Sequence, residues 1–162
     1  MIGYKAKCVL GLLLLFESTA FAQSHRKVII NEDCSGPGGS NMQTLLLMIQ
    51  SPQVEVLGIT VVSGDQWRDE EVAHTLRLLE IIGRTDIPVV PGAAFPLVRT
   101  RDEAQAWQQR YGKVAYAGAW DDRWWHEASV IPSLPEGAQR PNQLSRMRLT
   151  LSSAWFTSIR TR

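Results

Sequence analysis

The chain has 162 residues, 44% of them hydrophobic and 20% charged, which is enough for one domain with a sizeable core. Seventeen lysines and arginines stand against sixteen aspartates and glutamates. That balance gives no electrostatic support for nucleic-acid binding, which draws on a clustered basic face.

Lys5 and Lys7 precede the apolar run Val9 to Phe16, and Ala20, Phe21 and Ala22 form a small-x-small cleavage site. Residues 1–22 therefore read as a secretory signal peptide, and the mature protein is expected to be exported to a periplasmic or extracellular compartment. The alternative is a buried N-terminal helix. The run is too short to span a bilayer, so no membrane association is expected after cleavage. Cleavage removes Lys5, Lys7 and Glu17 and leaves acids and bases in equal number. It also removes Cys8, so Cys34 has no partner for an intrachain disulfide.

The next stretch carries the chemistry. Lys27 to Ile30 is a short β-branched strand that gives way to Asn31, Glu32 and Asp33, so polar oxygens gather where ligands bind in open α/β sheets. A loop from Cys34 to Gly39 holds three glycines and a proline, and it delivers Ser40 and Asn41 to the start of a helix. That helix has its apolar stripe at Met42, Leu45, Leu46 and Ile49, and Pro52 ends it. Val54 to Val62 is almost continuously apolar, as a buried parallel strand would be. Asp69, Glu70 and Glu71 favour the amino end of a second helix, with Val72, Leu76, Leu79 and Ile82 facing inward and Gly83 as its stop. Pro88 to Val90 is a third strand. Two strand-helix-strand units in succession predict an α/β fold, a parallel sheet with flanking helices and right-handed crossovers.

Beyond Gly92 the pattern weakens. Glu103 to Tyr111 reads as a short helix. Trp107, Trp120, Trp124 and Trp125 gather with Tyr111 and Tyr116, to fill a satellite core or to line a nucleobase pocket. Ile131 to Pro141 is proline-rich and extended. From Arg140 to Arg162 there are five arginines, seven serines or threonines and no acid, without strand or helix period. This tail, 140–162, reads as a basic disordered segment or as the product of a frameshift near residue 140.

The stretch from Lys27 to about Pro96 resembles the inosine-uridine nucleoside hydrolases. Their first strand runs into D-x-D-x-x-x-D-D, followed by an apolar helix, a Ser-Pro and a strand of the VEVLGIT type. Here SPQVEVLGITVVSGD (Ser51 to Asp65) and TLRLLEIIGRTDIPVVPGA (Thr75 to Ala93) match closely. The acidic motif is altered, with Asn31 for its first Asp, Asp33 for its second, and Ser40 and Asn41 for the final pair. The resemblance implies a domain of Rossmann-like topology over 23–139, holding only the N-terminal part of the family's chain. It implies hydrolysis of the N-glycosidic bond of a nucleoside or related ribosyl compound by a water activated on bound Ca²⁺, and leaves a homo-oligomer open. On that basis Asp33 is the candidate general base and a metal ligand. Asn41 and Asn31 are neutral metal ligands, which weakens the site. Ser40 and Asp65 are substrate-binding candidates, with a helix cap and a turn as their plain alternatives. This copy is expected to be weakly active or inactive. The competing expectation is a non-catalytic, secreted nucleoside- or sugar-binding remnant.

Other residues carry less. A haloacid dehalogenase-type phosphatase also places D-x-D after its first strand, but Asn31 cannot form the acyl-phosphate that chemistry needs. Glu32 and Cys34 read as loop residues, and Cys34 lacks a nearby His or Cys for zinc. His25, His74 and His126 are scattered, with His74 on a helix beside charged residues, and Asp121 and Asp122 read as solvated.

Overall fold

The computed structural model describes residues 25–36, 40–123 and 126–138. The signal-peptide segment 1–22, Trp124, Trp125 and the tail 140–162 lie outside the described residues. Three strands, β1 (Arg26–Glu32), β2 (Val54–Val61) and β3 (Val89–Pro91), form a parallel sheet in the order β1-β2-β3. Helix α1 (Ser40–Gln50) connects the first pair and α2 (Arg68–Ile81) the second. This is the parallel sheet with flanking helices that the strand-helix-strand pattern predicts.

Local sequence accounts for each element. On α1 the i, i+3, i+7 spacing of Met42, Leu45 and Ile49 puts all three into the core, beside Val56, Ile59 and Val61 of β2. Val72, Leu76 and Leu79 of α2 close that core together with Ile87 and Val89. No side chain of Trp67 caps α2. Instead the Ser63 hydroxyl accepts from the Arg68 amide at 2.8 Å and donates to the Ala94 carbonyl at 2.7 Å, tying the ends of β2 and β3 to the start of the helix. The helix ends at Gly83, whose φ is +71°.

The structure corrects several sequence-based expectations. The first strand runs on through Asn31 and Glu32, because Val62 N donates to Glu32 O at 3.1 Å and continues the ladder. The register shifts between Val28 and Ile29, where Leu57 is skipped. The third strand covers Val89–Pro91, and the helix expected from Glu103 starts at Arg101. This helix, α3 (Arg101–Tyr111), is capped reciprocally: the Thr100 hydroxyl accepts from Glu103 N, and the Glu103 carboxylate accepts from Thr100 N at 2.8 Å. Cys34 lies in the loop after β1, as expected. Its side chain is fully buried in the core between the helices.

His74 lies on the helix beside charged residues, and it is buried. It is 4% exposed, and segment 126–138 crosses α2 above it. His74 Nδ1 contacts Glu136 Oε1, Arg77 Nε donates to Glu136 O at 3.1 Å, and His126 Nε2 lies 2.9 Å from Glu70 Oε2. Trp67 Nε1 donates to His126 O at 2.7 Å and completes the clamp. Asp122 is exposed as expected and pairs with Arg101 at 2.9 Å, whereas the Asp121 side chain is only 12% exposed and pairs with Arg123 at 2.6 Å.

Candidate active site

The carboxyl ends of β1 and β2 lie side by side, so the residues after them share one volume. Asp33 follows β1. Opposite it Gly64 follows β2, and a Cβ at that position would lie 2.0 Å from Asp33 Oδ2. The missing side chain leaves the space the carboxylate fills. Asn41, in the first turn of α1, donates from Nδ2 to Asp33 Oδ1 and, at 3.4 Å, to Asp33 O. The amide thus orients the carboxylate.

Asp65 stands on the other side of Gly64. Its Oδ2 accepts from Ser35 Oγ at 3.4 Å, and its carboxylate is hydrogen-bonded by the Tyr116 hydroxyl. The loop that brings Tyr116 is pinned at Gly118. That residue adopts a left-handed φ of +58° and approaches so closely that a Cβ would sit 2.1 Å from Gly64 O. Ala119 N donates to the same carbonyl at 3.0 Å. Segments 33–35, 63–66 and 116–119 therefore meet at one point.

The electrostatics there are lopsided. Burial raises the Asp33 carboxyl above the ordinary aspartate range, and the neighbouring Asp65 charge raises it further. Glu71 on α2 is fully buried, and desolvation pushes it up to about 8 against the opposing hydrogen bond from Gln66 N, with Asp33, Asp65 and Glu70 adding to the rise. Its Oε1 accepts from Gln66 N at 2.6 Å, while Oε2 is buried with no hydrogen-bond partner. Tyr116 is pushed up to about 12 by burial and by its bond to Asp65. Burial, with Glu32, Glu71 and Asp33 nearby, likewise pushes the Cys34 thiol up to about 12, which leaves it protonated and unsuited to nucleophilic work.

Of the residues singled out in the sequence, Asp33, Asn41 and Asp65 are brought together. Asn31 is exposed, and its Oδ1 accepts from Thr60 Oγ1 at 2.9 Å across the β1-β2 pair. Ser40 opens α1, and its side chain lies outside the described residues. Glu71 and Tyr116 were not singled out as site residues. The acidic run at the start of α2 drew attention for its effect on the helix dipole, and only tertiary packing distinguishes Glu71 from Glu70 and Asp69.

Among the described residues, no three His, Cys, Asp or Glu side chains form a group able to hold a metal ion. The donors nevertheless suit a hard cation in kind: the neighbouring carboxylates of Asp33 and Asp65, an orphaned buried carboxylate oxygen of Glu71 and the Asn41 amide. Asp33 and Asp65 would be its charged ligands, with water filling most of the sphere.

Comparison with known proteins places the chain in a family. The sequence profile described as inosine-uridine preferring nucleoside hydrolase matches residues 28–147. A pyrimidine-specific ribonucleoside hydrolase RihA of Photobacterium profundum is 39% identical over 74 residues, 46% of this chain and 23% of that protein. The RihA of Citrobacter koseri is 40% identical over 67 residues, 41% of this chain and 21% of that protein. An uncharacterized protein of Schizosaccharomyces pombe is 41% identical over 73 residues, 45% of this chain and 23% of its own length. The chain thus spans less than a quarter of the length of these relatives. With most of its residues inside the profile match, and with that match taking in all three strands but the first two residues of β1, the chain belongs to the inosine-uridine preferring nucleoside hydrolase family.

Proposed function

We propose that the site at Asp33 serves hydrolysis of the N-glycosidic bond of ribonucleosides. The observation that carries this reading is the convergence of Asp33, Asn41 and Asp65 at the carboxyl ends of two adjacent parallel strands, where α/β sheets place their ligands. A water oxygen adds to C1′ of the ribose as the bond to the base nitrogen breaks, and the departing base carries that electron pair away. Asp33 accepts the water's proton. Its raised pKa makes it a better base than an ordinary aspartate, and Asn41 holds it in place. Negative charge at Asp33 and Asp65 favours the cationic, oxocarbenium-like sugar of the transition state. Asp65 and the Ser35 and Tyr116 hydroxyls around it offer hydrogen bonds to the ribose. A divalent cation held by Asp33, Asp65 and Asn41, with Ca²⁺ as our choice, would supply Lewis acidity that lowers the pKa of bound water.

A second reading, nucleoside binding without turnover, is favoured by the amide character of Asn41, which orients Asp33 but adds no charge. Both readings carry the expectation of export, which mass spectrometry checks: a secreted form starting at Gln23 supports it, and an intact Met1 rejects it. Release of ribose from uridine and inosine by the purified chain tests the main reading. Slow turnover that falls about 10²- to 10⁴-fold in Asp33→Asn is the expected result for a lost general base. Binding of uridine with no turnover in either protein would favour the second reading, and turnover unaffected by Asp33→Asn would remove Asp33 from the chemistry.

A further inference from the structure

A cleft of about 240 Å³ opens on the far side of Gly64 from Asp33. It shares Gly64 and Tyr116 with the site just described, and Tyr116 is the residue that bonds Asp65. Its walls are aromatic, with Trp67 and Trp120 behind and the half-exposed Trp107 and Tyr116 at the sides. Such faces stack on planar rings. The rim carries positive charge from Arg99 and Arg101, with the Gln105 and Gln108 amides beside them.

The two ends of this connected space thus differ in sign. The carboxylates of Asp33 and Asp65 repel an anion from one end, and two guanidinium groups attract it to the other. Two acids, Glu103 beside Arg99 and Asp122 beside Arg101, offset part of that positive charge. Glu103 is folded back onto the Thr100 amide and hydroxyl, and Asp122, the partner of Arg101, is 78% exposed in its side chain and reaches in from solvent. Arg99, two residues before α3, also stands where the amino-terminal helix dipole adds to its attraction for anions.

We propose that this cleft is a subsite for an anionic group attached to a planar ring, so that the substrate is a nucleoside derivative carrying a carboxylate or phosphate, and that Arg99 selects for it. This rests on the reading of Asp33 and Asp65 as the ribose site. A neutral sugar would face the carboxylates, the ring would stack between Trp107 and Tyr116, and the anion would meet Arg99.

Tryptophan fluorescence of the full chain, titrated with uridine, uridine 5′-monophosphate and orotidine, tests the proposal, because Trp107 and Trp120 line the cleft. Orotidine, whose carboxylate is on the ring, should bind about tenfold more tightly than uridine, as a charge-assisted hydrogen bond provides. Preference for orotidine supports the subsite, whereas preference for the monophosphate alone would place the anion on the sugar and overturn it. Arg99→Gln should remove the preference while leaving uridine binding unchanged, and Arg99→Lys should keep part of it. Arg99 is exposed, so neither change disturbs the core. Equal affinity for all three ligands, or a preference that survives Arg99→Gln, would overturn the proposal. Asp33→Asn separates the two ideas: if it leaves all three affinities unchanged while Arg99→Gln still abolishes the preference, the ribose assignment fails and the anion subsite stands.

Discussion

The carboxylate of Asp33 occupies the space that a side chain at Gly64 would need, with Oδ2 only 2.0 Å from the position of a Cβ there. A residue after β1 and a residue after β2 are thereby locked to a single arrangement. Gly64→Ala must push the aspartate aside. The flexible carboxylate yields before the backbone does, so the expected cost in stability is modest, about 1–3 kcal/mol for an overpacked position. The loss of ligand binding should be much larger than that cost alone would explain. Calorimetric unfolding paired with nucleoside titration checks this; full binding in Gly64→Ala would show that Asp33 does not need its observed position.

Cation binding at Asp33 should appear as linkage. Millimolar Ca²⁺ is expected to raise the Tm of the purified chain by about 2–8 °C, the range that a few kcal/mol of binding energy gives a domain of this size. Asp33→Ala should abolish the shift, and Asp65→Ala should reduce it. An equal shift in Asp33→Ala would place the ion elsewhere.

Glu71 makes stability depend on pH in an unusual direction for a carboxylate. Its folded pKa of about 8 lies above the ordinary value of 4.5, so the folded state holds a proton that the unfolded state has released across that interval. Stability should therefore be highest below about pH 4.5 as far as this group is concerned, fall as pH rises towards 8, and level off above it. Glu71→Gln keeps the shape without the titration. It should flatten that slope and gain on the order of a few kcal/mol at pH 9 in metal-free buffer. Denaturant midpoints measured between pH 5 and 9 decide the matter, and parallel curves for the two proteins would mean that Glu71 is charged throughout.

Much of the fold was legible because burial on one face leaves a period in the chain. Met42, Leu45 and Ile49, and again Val72, Leu76 and Leu79, recur at helical spacing and all pack into the core. Asp33, Asn41 and Asp65 could be picked out because they follow strands or open a helix at the sheet's carboxyl end and because the family resemblance assigns chemistry to those positions. The other half of α2 was opaque. Glu70, Glu71, His74 and Thr75 look like a solvated face, yet all four are buried: Glu70 and His74 meet segment 126–138, which returns from over fifty residues away, and Glu71 and Thr75 face Gln66 and Cys34. No local period records so distant a partner. The burial of Cys34 and the bond of Tyr116 to Asp65 were illegible for a related reason, since loops carry no repeat from which burial or contacts can be read.

The cover over α2 yields the last expectation. His74 is sealed between α2 and segment 126–138, in contact with Glu136, whose side chain is only 10% exposed and whose Oε2 has no hydrogen-bond partner. On its other side the imidazole packs against Gly36, where a Cβ would lie 2.8 Å from Cε1, so the histidine also supports the loop that carries Ser35 towards Asp65. Glu136→Ala strands a buried imidazole, and breaking a buried pair by removing one partner costs about 3–5 kcal/mol. The loss should concentrate in the clamp. Amide exchange is expected to quicken across 126–138 and around residues 33–36, while the β1-β2 ladder keeps its protection. Faster exchange confined to 126–138 would mean that His74 holds the cover alone, and unchanged exchange throughout would show that the contact with Glu136 contributes nothing to order.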